Sequence, residues 1–319
     1  MRPKALVTHA LLPEAMDFLA RHVDFEIGTK EVFLPKPILL EKARDKDGLL
    51  SLLTVDIDRD VMDAAPRLRI IANCAVGTDN IDIDYARKKG VLVTNTPGVL
   101  TETTADLTWA LILAVTRRIP PADHFLRSGN FKGWKLDLWL GREISGKRLG
   151  IIGMGRIGKA VAERARGFRM DIVYHDRRRL SADEEKAFGA IWLPLDELLR
   201  TSDIVSIHAS MTEGSYHLLS REKLDFMKRD AVLINVARGP IVDEKALADA
   251  LENGRLWGAG LDVYEREPIV EERLLGMDNV VLLPHIGSAT YETRLKMAMM
   301  AATNLVMALK GEKPPNLVI

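Results

Sequence analysis

Short apolar runs alternate with amphipathic stretches along this chain, and they fall into two series. In the first, Ala5-Leu6-Val7-Thr8 precedes a helical pattern from Pro13 to Arg21, and strand patterns follow at Gly48 to Leu53, Arg69 to Cys74 and Val91 to Thr94. The second opens at Arg148-Leu149-Gly150-Ile151-Ile152. It continues at Asp171 to Tyr174, Ala190 to Trp192, Ile204 to Ile207, Ala231 to Asn235, Gly258 to Leu261 and Val280 to Leu283. Strands alternating with helices predict βαβ units, because parallel strands need a crossover to return. The regular second series predicts a doubly wound parallel sheet. Between the series, Leu107, Ala110, Leu111, Ala114 and Val115 recur at helical spacing within Thr101 to Arg118, a long helix expected to join two domains. Tyr291 to Lys310 is also helical and stops at Gly311, ahead of Pro314-Pro315. Two placements are open for it: in the second domain, or crossing back to complete the first.

Composition narrows the class. At ~150 residues per domain, 319 residues suggest two domains, each long enough for a core of its own. The 45 Lys+Arg balance 45 Asp+Glu, which argues against nucleic acid or an anionic membrane as the main partner. One cysteine, Cys74, cannot close an internal disulfide, so a disulfide-stapled secreted scaffold is excluded. The longest unbroken apolar stretch, Trp109 to Val115, falls far short of the ~18 residues of a membrane span. Met1-Arg2-Pro3-Lys4 leads into a strand pattern with no apolar signal-peptide core. A soluble, cytoplasmic protein is expected.

Gly153-Met154-Gly155-Arg156-Ile157-Gly158 fits G-x-G-x-x-G, follows an apolar strand and opens a helical pattern from Lys159 to Arg166. The first glycine makes a tight turn, the second admits a pyrophosphate to the backbone, and the third allows close helix packing. The helix N-terminus then offers free N–H groups to the phosphates. Asp176, 18 residues beyond Gly158, ends the next strand, where a carboxylate accepts hydrogen bonds from an adenosine ribose. Together these predict a nicotinamide dinucleotide site. Arg177-Arg178-Arg179 reads in two ways: a solvated basic loop, or arginines that hold the 2′-phosphate of NADP. The carboxylate of Asp176 favours NAD.

Three later segments, each following a strand, supply candidate catalytic groups: Asn235 to Gly239 with Arg238, Gly260 to Pro268 with Glu267, and Leu283 to Ser288 with His285. A carboxylate-bearing hydride acceptor needs a cation, and Arg presents a planar bidentate fork. Reduction of a carbonyl also needs a proton donor that titrates near neutrality, which describes His. A carboxylate beside the imidazole orients it and favours its protonated form. Arg238, Glu267 and His285 meet those three needs.

With these residues in view, the chain resembles the D-isomer-specific 2-hydroxyacid dehydrogenase family over nearly its whole length. The matching motifs are Val76-Gly77-Thr78-Asp79-Asn80-Ile81-Asp82, Asn95-Thr96-Pro97-Gly98, the Gly153 turn, Asn235 to Pro240, Gly260 to Pro268, and Pro284 to Thr290. The resemblance implies an Arg238–Glu267–His285 catalytic set, with backbone N–H groups of Val76 and Gly77, near Leu53, on the substrate carboxylate. It implies a cofactor site made of Thr104, Gly153, Gly155, Arg156, Ile157, Gly158, Asp176, Arg177, Val236, Ala237, Asp262, His285 and Gly287, with Asp262 on the nicotinamide amide and no metal. It also implies an α/β fold of two Rossmann-like doubly wound domains. The substrate domain is discontinuous, residues 1–99 and 288–319, around a dinucleotide domain of residues 100–287. A homodimer joined through the dinucleotide domains is implied as well.

Within the family, Val99 to Leu107 and His285 to Thr290 are most similar to glyoxylate/hydroxypyruvate reductases. Trp139 falls in a segment that reaches the partner's active site in those enzymes; a plain interface or core aromatic is the other reading. Val76 stands where phosphite dehydrogenases carry lysine, and Glu267 where formate dehydrogenases carry glutamine. Ser210-Met211 replaces the common Pro-Leu. The expected activity is reduction of glyoxylate or hydroxypyruvate by NADH or NADPH. Other family substrates (2-ketogluconate, phosphoglycerate) and a non-catalytic NAD(H)-sensing corepressor-like protein are the alternatives.

Overall fold

Near-continuous apolar runs become parallel strands in the computed structural model, which describes residues 2–31 and 33–319. Met1, part of the N-terminal reading above, lies outside the described residues. The chain opens with β1 (Lys4–His9), α1 (Pro13–His22), β2 (Asp24–Thr29), α2 (Lys36–Ala43), β3 (Gly48–Ser51), α3 (Arg59–Ala64), β4 (Ile70–Asn73), α4 (Ile83–Lys89) and β5 (Leu92–Thr94). It continues with α5 (Thr101–Thr116), α6 (Ile119–Arg127), β6 (Arg148–Ile152), α7 (Arg156–Ala165), β7 (Asp171–His175), α8 (Ala182–Phe188), β8 (Ala190–Trp192), α9 (Leu195–Thr201) and β9 (Ile204–Ile207). The remaining elements are α10 (Arg221–Phe226), β10 (Val232–Asn235), α11 (Glu244–Glu252), β11 (Gly258–Leu261), β12 (Val280–Leu282) and α12 (Tyr291–Lys310).

Two compact units result. One holds the chain up to Leu100 together with Ser288–Ile319; the other holds Thr101–Gly287. The long helix α5 therefore starts at the boundary and lies inside the second unit. Helix α12 packs on α1, β3 and β4 of the first unit, the second of the two placements open from the sequence.

The first unit is a five-stranded parallel sheet of order β2-β1-β3-β4-β5. Successive side chains of a strand face opposite ways, so neighbours in sequence enter different cores. Leu6, Leu49, Ile71 and Val93 face one side with Leu39, Val61 and Met62 of α2 and α3. Ala5, Val7, Leu50, Ile70 and Ala72 face the other with Leu19 of α1 and Ala301 and Leu305 of α12. A sheet covered on both faces needs apolar residues at every position, which is why these strands read as unbroken runs. The exception is β2, an edge strand on which Asp24 and Glu26 are exposed; the apolar-run criterion passed over it.

The second unit is a seven-stranded parallel sheet of order β12-β11-β10-β9-β6-β7-β8. Its strand order reverses between β6 and β9. Ligands bind such sheets in the crevice beyond the carboxyl ends of the strands at that reversal. The Gly153 turn leaves β6 at this point, and the turns after β10, β11 and β12 open on the same edge. Among the described residues no helix is long and apolar enough to cross a membrane.

Candidate active site

The glycine turn is shaped by two close approaches and one open position. Gly153 has φ +93°, and a Cβ there would lie 2.5 Å from Ala209 N and 2.6 Å from the carbonyl carbon of His208, beyond β9. A Cβ on Gly158 would lie 2.2 Å from Gly153 O, so helix and turn touch backbone to backbone. At Gly155 a Cβ meets nothing within 4 Å. Gly153 and Gly158 are thus required by the chain's own packing, whereas Gly155 leaves space above the backbone. Helix α7 begins there without a side-chain cap, so its first-turn N–H groups keep their capacity to bind an anion. The turn, with Arg156 and Ile157 in its first helical turn, fits a dinucleotide pyrophosphate.

Asp176 stands beyond the end of β7. Its Oδ2 accepts the Met154 N–H at 2.8 Å and its Oδ1 accepts the Arg178 N–H at 3.1 Å. The carboxylate therefore ties the glycine turn to β7 while retaining lone pairs for further donors. Arg179 is committed to Glu185 at 2.8 Å, whereas Arg177 and Arg178 are exposed. His208, not singled out from the sequence, sits beside Gly153 with Nε2 2.8 Å from Ser206 Oγ. Burial pushes its imidazole down to about 3, so it is neutral. Only its approach to the glycine turn, from just beyond the neighbouring strand β9, marks it.

The three strand-end turns meet around Glu267. Asn235 closes the first: its Nδ2 donates to Arg238 O at 2.9 Å and its Oδ1 accepts Ala237 N–H at 3.1 Å, fixing the Val236–Ala237–Arg238 backbone. A Cβ on Gly239 would fall 1.8 Å from the Tyr264 carbonyl carbon, so this turn lies flat on the Tyr264–Glu265 backbone. Glu267 accepts the Tyr264 N–H at Oε1 (3.1 Å) and the His285 Nδ1–H at Oε2 (2.9 Å). Burial raises the Glu267 carboxyl, but the His285 hydrogen bond and charge, the Tyr264 N–H and the Arg238 charge outweigh it and hold the group below its ordinary value. An ionised Glu267 keeps the proton on Nδ1 and leaves Nε2 of His285 available for acid–base work.

Further groups hold this geometry. Asp262 is buried, with Oδ1 on Ile286 N–H and Oδ2 on Gly287 N–H, each at 2.7 Å. It thereby clamps the turn that carries His285, which adopts φ +53°. Burial raises the Asp262 carboxyl despite these two donors. Thr104 Oγ1 donates to Gly287 O at 3.1 Å. Glu244, near the start of α11, accepts Glu265 N–H at 2.8 Å and Glu271 N–H at 2.6 Å, spanning the segment that contains Glu267. The sequence reading assigns no role to Asn235, Tyr264 or Glu244; an amide that ends a strand is the available signal for Asn235, and an acid that opens a helix is that for Glu244.

Leu53, Val76 and Gly77 belong to the first unit, where they follow β3 and β4 and are at least partly exposed. Trp139 is held inside the second unit, its ring edge-on to Phe125 at 5.8 Å with Arg118 5.1 Å from its centroid.

The comparisons with known proteins agree with one another. The family described as "D-isomer specific 2-hydroxyacid dehydrogenase, NAD binding domain" matches residues 109–287. A glyoxylate reductase of Thermococcus kodakarensis is 49% identical, covering 100% of this chain and 96% of the relative. One from Aeropyrum pernix is 51% identical over 99% of this chain and 96% of the relative. Among solved structures, an NADPH-dependent glyoxylate/hydroxypyruvate reductase from Sinorhizobium meliloti, in complex with NADP and malonate, superposes with a TM-score of 0.87 at 33% identity. It covers 100% of this chain and 97% of its own.

Proposed function

The chain belongs to the D-isomer-specific 2-hydroxyacid dehydrogenase family, oxidoreductases that act with a nicotinamide dinucleotide, and we propose that it reduces glyoxylate to glycolate, or hydroxypyruvate to the D-2-hydroxy acid. The observation that carries this reading is the Glu267–His285 pair, 2.9 Å apart, within the field of Arg238. When bound, the reduced dinucleotide supplies the hydride for C2 of the keto acid. In the second unit Arg238 is the cation for a substrate carboxylate, and in the first unit the Val76 and Gly77 N–H groups are anion donors. His285 Nε2 gives its proton to the C2 oxygen as negative charge develops there, and in oxidation takes it back. Glu267 keeps the imidazole oriented through Nδ1. Assay of the purified protein with a panel of 2-keto acids and both reduced cofactors tests the reading. An L product from hydroxypyruvate overturns the assignment, and no turnover with any 2-keto acid favours the sensing-protein alternative.

Glu267→Gln keeps the shape of the contact to His285 and removes its charge. The carboxyl is held low and stays ionised through neutral pH, so its loss withdraws support from the protonated imidazole. Reduction needs that proton, and the alkaline limb of its kcat/KM profile moves to lower pH by about 1 unit or more. An unmoved limb would show that the pair does not govern proton supply.

NADH is the preferred cofactor in this proposal. A 2′-phosphate beside the Asp176 carboxylate brings two negative groups together, which is repulsive near pH 7. The exposed Arg177 and Arg178 act in the opposite sense, but they lie on a loop, while Asp176 is fixed by its hydrogen bonds to Met154 and Arg178. Asp176→Ala therefore moves the ratio of kcat/KM values toward NADPH; a wild-type preference for NADPH sinks the assignment.

A homodimer through the second unit is supported by Trp134, Leu136 and Leu140, 79, 81 and 62% exposed on one segment. Light scattering that gives a monomer would remove it. The lone buried cysteine supports a cytoplasmic setting.

A further inference from the structure

The turn after β4 carries a run of unspent amide donors whose directions are fixed from behind. Three successive carbonyls are each taken by a neighbour: Ala75 O by Thr96 N–H at 2.8 Å, Val76 O by Asn95 Nδ2–H at 2.8 Å, and Gly77 O by Asn73 Nδ2–H at 2.9 Å. A trans peptide is planar, with N–H opposite C=O. Pinning these carbonyls therefore sets the N–H groups of Val76, Gly77 and Thr78. None of the three has an acceptor among the described residues, and Val76 is 36% exposed. Backbone N–H groups seldom stay unpaired away from solvent, and successive ones make good anion sites.

The pins are themselves held. Asn73 is fully buried; its Oδ1 accepts Ser51 Oγ–H at 3.0 Å, and its Nδ2 also donates to Asn80 Oδ1 at 3.1 Å. Asn80 Nδ2 in turn donates to Leu52 O at 3.2 Å and Val55 O at 2.9 Å. This network leaves Asn73 one orientation, with Nδ2 on Gly77 O. Asn95 is fixed through its backbone: its N–H donates to Asn316 O and its carbonyl accepts Asn304 Nδ2–H, each at 3.3 Å.

We propose that Asn73 and Asn95 are positioning residues for the substrate carboxylate. Asn95 sets the Gly77 N–H, Asn73 sets the Thr78 N–H, and with the Val76 N–H these form a three-donor anion-binding turn. The inference rests on the keto-acid reading above and extends it, from two amides to three and to the side chains that aim them. Neither asparagine touches substrate. A carboxylate has about four acceptor positions, so three amide donors are within its capacity.

Asn95→Asp tests it with little change in size. An acceptor replaces the donating Nδ2 and repels Val76 O, so the Val76–Gly77 peptide loses its pin. The KM for glyoxylate and the inhibition constant of oxalate, a carboxylate probe that does not react, should each rise ~10-fold or more, the scale of one hydrogen bond to a charged group. The kcat and the KM for the dinucleotide should stay within about 2-fold, the pattern expected when an interaction common to ground and transition states is lost. Asn73→Asp should do the same, and the partly exposed Asn95 decides the matter if Asn73→Asp does not fold. A merely structural role would move kcat, cofactor KM and melting temperature together, and that result overturns the proposal. So do unchanged KM and oxalate inhibition in a stable Asn95→Asp. Wild-type protein without keto-acid turnover would sink the proposed function instead. Oxalate protection of its melting temperature would then read the amides alone, and no protection would overturn this inference too.

Discussion

Replacing His285 by alanine lowers kcat for keto-acid reduction by ~10²–10⁴-fold, the usual contribution of a positioned general acid. The imidazole stands with Nδ1 on Glu267 at 2.9 Å, and removing it deletes the proton donor without deleting its supports. Asp262 still holds the Ile286 and Gly287 N–H groups, so the turn keeps its path. The KM for the dinucleotide should change far less than kcat. Steady-state kinetics at the wild-type optimum decide the point: a kcat within about 10-fold of wild type means that another group, or water, delivers the proton.

Gly239→Ala produces a comparable loss by a different route. The added methyl would lie 1.8 and 1.9 Å from the Tyr264 carbonyl carbon and oxygen and 2.4 Å from Glu265 N, all of them backbone atoms. The turn carrying Arg238 must then lift off the turn carrying Glu267. Overpacking of this kind costs about 1–3 kcal/mol of stability, and a misplacement near 1 Å costs ~10²-fold in rate. We expect kcat/KM to fall ~10²-fold or more with a modest drop in Tm. Activity within about 3-fold of wild type would show that the two turns are not rigidly stacked.

Much of this architecture could be read from the chain because parallel sheets covered on both faces leave a strong trace. Every strand of the second unit announced itself as an apolar run, and so did the inner strands of the first. The edge strand β2 did not: with water on one side, Asp24 and Glu26 break the run. The candidate site was legible for a similar reason, since Arg238, Glu267 and His285 follow strands and are the residue types that anion binding and proton transfer demand. What the sequence concealed is how these groups are held. Glu244 acts on amides more than twenty positions away, Asn235 acts on its own turn, and His208 meets the glycine turn from another strand. Such roles depend on neighbours that only folding supplies.

The split of the first unit also sets an order of events during synthesis. Its five strands and four short helices are made first, yet one face of its sheet has only α1 to cover it until α12 appears, about 190 residues later. Until then Leu50, Ile70 and Ala72 lack Ala301 and Leu305. At ~5–20 residues per second that interval is about 10–40 s on the ribosome. The second unit, contiguous from Thr101 to Gly287, has every strand of its sheet in hand before α12 exists. The half made first is therefore the half completed last, and a stalled ribosome would release a finished nucleotide-binding body tethered to a sticky, part-covered sheet.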